Sequence, residues 1–231
     1  MTGNCPPPDL SYQDFSLICR NLKTMPGLVP ITITFPVPDA SPATLYKHLR
    51  TSQGFLLESM EGVPRRAVRS IIGTGITDII TLDEGKDTLT GPIEQLRAFL
   101  AERQLTGRVP AGFAGGLIGY CSYDMVSSLN HGYLNAGKAE HCPIGRFMIT
   151  TSGVVLDHQA GSCTIFVTST IKPEDDLFTV YSEAVSEVTT LASRVLQISP
   201  DAQEKSILKD ESSEFVISSS MEQEIFEAAV R

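Results

Sequence analysis

The sequence predicts an α+β fold: an antiparallel β-sandwich with helices on its outside. Three observations predict it. Short runs with strand alternation, such as "VPITITF" and "SCTIFVTST", recur along the chain. Segments with helical spacing and N-cap signals lie between them. Three runs close together at 145–170 read as a strand meander, the pattern of antiparallel pairing.

The elements follow in order. Ser11 with Asp14 resembles a capping box and opens a helix through about Lys23, which Pro26-Gly27 ends. "VPITITF" is a strand until Pro36 and Pro38 interrupt it. Ser41-Pro42 pairs an N-cap with a proline at the first helical position, starting "ATLYKHL", in which Leu45 and Leu49 share a face. "GFLLESM" and "AVRSIIG" read as two strands around the turn-rich "EGVPRR", and "ITDIITL" as a third. Pro92 opens "PIEQLRAFLAERQ" with Ile93, Leu96 and Leu100 at helical spacing.

Next comes the glycine-laced "GFAGGLIGYCSYDMV". "GRFMITTSG", "GVVLDHQAG" and "SCTIFVTST" form the meander, with a hairpin turn at Gln159-Ala160-Gly161. Pro173 starts the longest helix, to about Ile198. The elements run through 198, the polar stretch 199–214 reads as a linker or exposed loop, and 215–231 follows it. In that last part "FVISSS" reads as a strand, and Ser220 with Gln223 as a capping box opening "MEQEIFEAAVR". Ile225, Phe226 and Val230 give this helix an apolar face, yet no stop signal follows. Such a helix either docks on its own domain or belongs to a longer polypeptide.

Composition narrows the function classes. The 231 residues are 42% hydrophobic and 19% charged, an ordinary globular mixture. A net charge of −9 leaves no basic stripe to neutralise phosphates, so nucleic acid is not expected as a partner. No apolar run approaches the ~20 residues of a membrane span, and the first ten residues lack the regions of a signal peptide. Five scattered cysteines without a C-x-x-C pair argue against a disulfide framework or structural zinc and point to reduced thiols. The expectation is a cytoplasmic protein with no membrane partner.

Catalytic constellations are scarce. His48, His131, His141 and His158 lack partners at metal-ligand or triad spacing, and no P-loop, G-x-S-x-G or H-E-x-x-H occurs. Gly112, Gly115, Gly116 and Gly119 read as close packing of buried strands. Asp157 and His158, adjacent in a strand, point to opposite faces and read as flanking a turn rather than as an acid–base dyad.

The stretch that stands out is "FLLES", an apolar run ending in Glu58 and Ser59. If it forms a hairpin with "RSIIG" about a turn near Pro64, Ser59 faces Ser70 and Leu57 faces Ile72, with Glu58 and Arg69 on the other face. Two facing hydroxyls beside apolar pairs make either a satisfied strand-edge pair or the floor of a pocket for a small amphipathic ligand.

"SPATLYKHL", "GFLLESMEG", "RSIIG", "GFAGGLIGYCSYDMV" and "GVVLDHQAG", in this order, resemble the N-terminal region of anthranilate synthase component I, of the chorismate-utilising enzymes. The large subunit of aminodeoxychorismate synthase shares the pattern. The resemblance implies the N-terminal half of that fold, whose strands share one sandwich with the other half, so apolar sheet surface is expected to be exposed here. It implies that 1–198 is the N-terminal regulatory domain, 199–214 a linker and 215–231 the start of a truncated chorismate-binding domain. The catalytic residues and the Mg²⁺ ligands would then lie outside this chain, which by itself is expected to be inactive. The whole enzyme would be a lyase of tryptophan biosynthesis, converting chorismate and ammonia or glutamine to anthranilate and pyruvate, with a glutamine amidotransferase subunit (component II) as partner. The family's tryptophan feedback site maps onto Glu58, Ser59, Arg69, Ser70 and Pro42, a set that offers a carboxylate, hydroxyls and a cation to an amino acid. The other readings are an aminodeoxychorismate synthase large subunit of folate synthesis and a free-standing, non-catalytic amino-acid-binding module.

Overall fold

The structure, a computed structural model, describes residues 5–22, 26–61, 66–82, 91–107, 109, 112–123, 125, 143–199 and 219–230. The chain divides into two units, Met1–Pro200 and Asp201–Arg231. The first contains α1 (Tyr12–Arg20), β1 (Gly27–Pro36), α2 (Pro42–Leu49), β2 (Phe55–Glu61), β3 (Arg66–Leu82), α3 (Pro92–Ala101), β4 (Gln104–Leu105), β5 (Gly116–Cys121), β6 (Gly145–Asp157), β7 (Ser162–Ile171) and α4 (Leu177–Gln197). The second contains α5 (Gln223–Val230).

The expected two-sheet sandwich is not what these residues form. They make one mixed seven-stranded sheet in the order β2-β3-β6-β7-β1-β4, with β5 on β6. All pairs are antiparallel except the short β1–β4 pair, where Gly27 faces Gln104 and Leu28 faces Leu105. β6 accommodates three partners because its two halves have different neighbours on one side: β5 along Gly145–Thr150 and β7 along Ser152–Asp157.

Strand alternation sorts the side chains onto two faces. On one face Ile72, Val154, Leu156, Ile165, Val167, Ile31 and Ile33 pack beneath α1, α2 and α4. Phe15, Leu45, Leu49, Val188 and Val195 supply the helical half of that core and are 0% exposed. On the other face Val155 and Phe166 pack with Ala114, and Ile71 and Phe113 close around them. The Phe113 and Phe166 rings meet edge to face at 5.5 Å. A separate cluster of Leu82, Met125 and Ile144 gathers around α3. Burial pushes the Cys19 thiol up to about 11 and Cys163 to about 12, so both stay protonated at neutral pH.

Caps decide where the helices begin. Ser11 accepts from the Asp14 N–H at 3.2 Å, and Ser41 from the Thr44 N–H at 3.1 Å, as their positions in the sequence require. The longest helix starts at Leu177 rather than Pro173, because Asp176 is the residue that accepts from the Thr179 N–H. α3 stops at Ala101, and Gln104–Leu105 joins the edge of β1 instead of continuing the helix.

β3 and β6 are each longer than the separate strands expected at 67–73, 76–82, 145–153 and 153–158. The glycines that look like breaks serve close approach. Gly73 and Gly153 face each other across the ladder. A Cβ on Gly73 would strike the Phe55 ring, and one on Gly153 the Ile72 carbonyl. The ladder slips around Gly75 and Ile76 but does not end. Gly119 likewise lets β5 lie against the Arg146 carbonyl, although β5 is half exposed rather than buried.

In the second unit α5 begins at Gln223, three residues beyond the expected cap, and Ile225, Phe226 and Val230 are exposed. Most of the 199–214 linker and of the 215–220 strand lies outside the described residues. Among the described residues no helix is long and apolar enough to cross a membrane.

Leu45 and Leu17 test this architecture: one is 0% exposed between α2 and the sheet, the other 61% exposed on α1. Leu45→Ala is expected to cost about 2–5 kcal/mol in urea unfolding. Leu17→Ala should stay within about 0.5 kcal/mol; similar losses from both would contradict the assigned core.

Candidate functional site

The β2–β3 hairpin sets the site, and its register differs by one residue from the symmetric hairpin expected. Glu58 faces Ser70, Ser59 faces Arg69, and Leu57 faces Ile71. Beyond Ser59 the ladder resumes at Met60 opposite Ala67, so Val68 is an extra, bulged residue. A one-residue change of register moves every side chain to the other face. Ser59 and Ser70 therefore do not face each other. Glu58 joins Ser70 on the helix-covered face; Ser59 and Arg69 share the opposite one.

On the side of β6 the bulged residue stays in register. The Val68 carbonyl accepts from the His158 N–H at 3.0 Å, drawing the start of the β6–β7 turn onto β3. Asp157 Oδ1 accepts from the N–H groups of Gln159 at 3.1 Å and Ala160 at 2.8 Å, and Gly161 closes the turn at φ +63°. With Asp157 directed to one face, His158 turns to the other.

Two polar groups result. On the helix-covered face the Ser70 hydroxyl, 0% exposed, lies 3.1 Å from Glu58 Oε1 and 2.8 Å from His158 Nε2. On the opposite face Arg69 Nε donates to Asp157 Oδ2 at 3.4 Å. Ser59 Oγ accepts from the Arg69 N–H at 3.1 Å and donates to the Arg69 carbonyl at 3.4 Å, which stitches the hairpin where the bulge interrupts it. Half of the Arg69 side chain is exposed, so this ion pair contributes only about 0–1 kcal/mol.

Pro42 opens α2, which packs on β2 and β3. The Tyr46 hydroxyl donates to the Gly54 carbonyl at 3.1 Å and ties the helix to the start of β2. No hydrogen bond links Pro42 to the other four residues. The five residues selected from the sequence thus divide into Glu58 with Ser70, Ser59 with Arg69, and Pro42, which no hydrogen bond ties to either pair. His158, 88 residues from Ser70, was missed as a member of the group, because nothing in its sequence spacing places it there.

The Asp157 carboxyl sits below the ordinary aspartate range. The Ala160 N–H is the first cause; the hydrogen bond and charge of Arg69 and the Gln159 N–H add to it, while burial opposes them. A cavity of about 490 Å³ opens on the Asp157 side of the sheet, over Thr32, Thr34 and Thr164. Its carboxylates are already occupied: Asp9 Oδ2 accepts from Thr32 and Thr34, and Asp157 from Arg69 and the turn. Among the described residues no three His, Cys, Asp or Glu side chains gather as metal ligands would.

The chain is similar to a region of the chorismate-utilising enzymes. The particular relatives are forms of anthranilate synthase component 1. Those of Mycobacterium bovis and Mycobacterium tuberculosis are 28% identical over 173 residues, covering 67% of this chain and 33% of theirs. That of Methanothermobacter marburgensis is 30% identical over 132 residues, covering 52% and 27%. The chain spans about a third of the length of the curated relatives it matches. No family profile matches it. Among solved structures, anthranilate synthase component I from Streptococcus pneumoniae matches with a TM-score of 0.42 and 19% identity, over 68% of this chain and 35% of that one.

A depressed carboxyl stabilises the fold above its unfolded pKa, and that contribution is lost as pH falls through the folded value. In Arg69→Ala, Asp157 should titrate at higher pH than in the wild type yet remain below an ordinary aspartate, because the Ala160 N–H still donates to it. Carboxyl NMR titration reads this; an unmoved Asp157 would show that Arg69 does not act on it.

Proposed function

We propose that this chain is the tryptophan-sensing N-terminal part of an anthranilate synthase component I. The observation that carries the reading is the 173-residue similarity to enzymes of that name. The motif resemblance from "SPATLYKHL" to "GVVLDHQAG" agrees with it. The whole enzyme would be a cytoplasmic lyase that converts chorismate, with ammonia or glutamine-derived nitrogen from a component II amidotransferase, to anthranilate and pyruvate. Chorismate and Mg²⁺ would engage residues beyond this chain, and the sandwich expected from the sequence would be completed by strands from the same region.

The effector site would lie at the β2–β3–β6 end of the sheet. A free amino acid presents an ammonium, and Glu58 is an exposed carboxylate fixed through one oxygen by the buried Ser70 hydroxyl. Such a carboxylate meets a cation without the entropic cost of ordering a free side chain. Ser59 and Arg69 would support the site from the other face, by holding the bulge that sets the register. Tryptophan would inhibit by binding the inactive state more tightly than the active one, so its effect is bounded by that difference.

Three measurements test the reading. The purified 231-residue chain should form no anthranilate from chorismate, ammonia and Mg²⁺; turnover would overturn the division of labour proposed here. The full-length protein should release anthranilate and be inhibited by L-tryptophan. Aminodeoxychorismate as its product would replace this reading with the folate-pathway one. In the full-length protein, Glu58→Ala should weaken tryptophan binding by about ten-fold or more, the value of a hydrogen bond to a charged group. An unchanged inhibition curve would place the effector elsewhere.

A further inference from the structure

The Ser70 hydroxyl has a single proton and two close neighbours, Glu58 Oε1 at 3.1 Å and His158 Nε2 at 2.8 Å. An ionised carboxylate only accepts, whereas an imidazole nitrogen donates or accepts according to its tautomer. If Nε2 accepted, the serine proton would go to the histidine and Glu58 would face an oxygen lone pair. One arrangement gives every contact its proton: His158 Nε2–H donates to Ser70 Oγ, and the Ser70 hydroxyl donates to Glu58 Oε1. Protonating the imidazole leaves Nε2–H in place, so the direction of the chain is the same for both charge states of His158.

The backbone fixes where His158 stands. The Val68 carbonyl accepts from the His158 N–H, continuing the β3–β6 register, and strand alternation after Asp157 puts the imidazole on the Ser70 face. Ser70 is 0% exposed, so its hydroxyl is out of reach of a ligand and acts only through Glu58. Among the described residues Glu58 Oε2 accepts no hydrogen bond, and Glu58 is exposed. A carboxylate with one oxygen tethered and the other open suits an ammonium group.

We infer that His158 is a positioning residue for recognition of the ligand's α-ammonium group, acting through the Ser70 hydroxyl on Glu58. The inference rests on the effector-site reading above and adds His158 to that site. It places selectivity for amino acids over their deaminated analogues in a relay that spans 88 residues of sequence.

The test compares L-tryptophan with indole-3-propionic acid, which keeps the ring and carboxylate but lacks the amine, by calorimetry on the full-length protein. The wild type should prefer L-tryptophan. His158→Leu should weaken L-tryptophan about ten-fold and leave indole-3-propionic acid unchanged, so the preference collapses. His158→Gln, whose amide N–H₂ can replace the Nε2 donor, should restore most of it. Equal weakening of both ligands, or an undiminished preference in His158→Leu, overturns the inference. If His158→Leu does not fold, Ser70→Ala cuts the same relay: a retained preference overturns the inference and a lost one supports it. A wild type that binds neither compound overturns the effector-site reading itself, a result distinct from a wild type that binds and a variant that does not change.

Discussion

The ladder between β3 and β6 is the constraint on which the rest of the structure depends. It runs from Arg69 opposite Asp157 to Leu82 opposite Gly145, so two strands distant in sequence are locked in register over most of their length. Gly73 and Gly153 at its middle allow the close approach, with the Phe55 and Phe166 rings beside the space that side chains would have filled. Every other strand except β4 reaches the sheet through one of these two, directly or through β7. The helix-covered core has the same dependence: Ile72, Val154 and Leu156 belong to it only while this register holds.

The polar groups at the end of the ladder follow from strand parity. Consecutive residues in a strand project to opposite faces, so Glu58 and Ser59 cannot serve one pocket with both side chains, and neither can Arg69 and Ser70. The bulge at Val68 decides which pairs meet. Toward β6 the strand keeps its register at Val68, whose carbonyl accepts from the His158 N–H, and this couples the β2–β3 hairpin to the β6–β7 turn. A bulge at a sheet edge is a common way of re-aiming side chains near a site. Here it leaves one buried hydroxyl between a carboxylate and an imidazole, and on the other face an arginine against an aspartate.

These groups suit recognition better than bond-making. Ser70 is fully buried, so its hydroxyl has no access to a substrate carbon even with an imidazole 2.8 Å away. Glu58 hydrogen-bonds the serine rather than the histidine, unlike the orienting acid of a nucleophilic triad. What the arrangement supplies is a fixed charge at a sheet edge. That is the requirement for telling one small polar ligand from another.

Much of the fold was legible in the sequence because it depends on local chemistry. Ser11 and Ser41 cap their helices through side chains three residues from the N–H groups they satisfy. Gly161 closes the hairpin turn expected at 159–161, and Leu45 and Leu49 bury the face that their spacing defines. The opposite orientations of Asp157 and His158 were likewise a matter of strand period. The tertiary structure alone decided whether the strands form one sheet or two, because pairing partners lie far apart in the chain and alternation carries no record of them. It also decided the register at Ser70, since one bulged residue, Val68, exchanges the faces without changing the hydrophobic pattern enough to show. His158 came to Ser70 for the same reason: the β3–β6 ladder brings them together across 88 residues, a distance over which no local spacing can specify a contact.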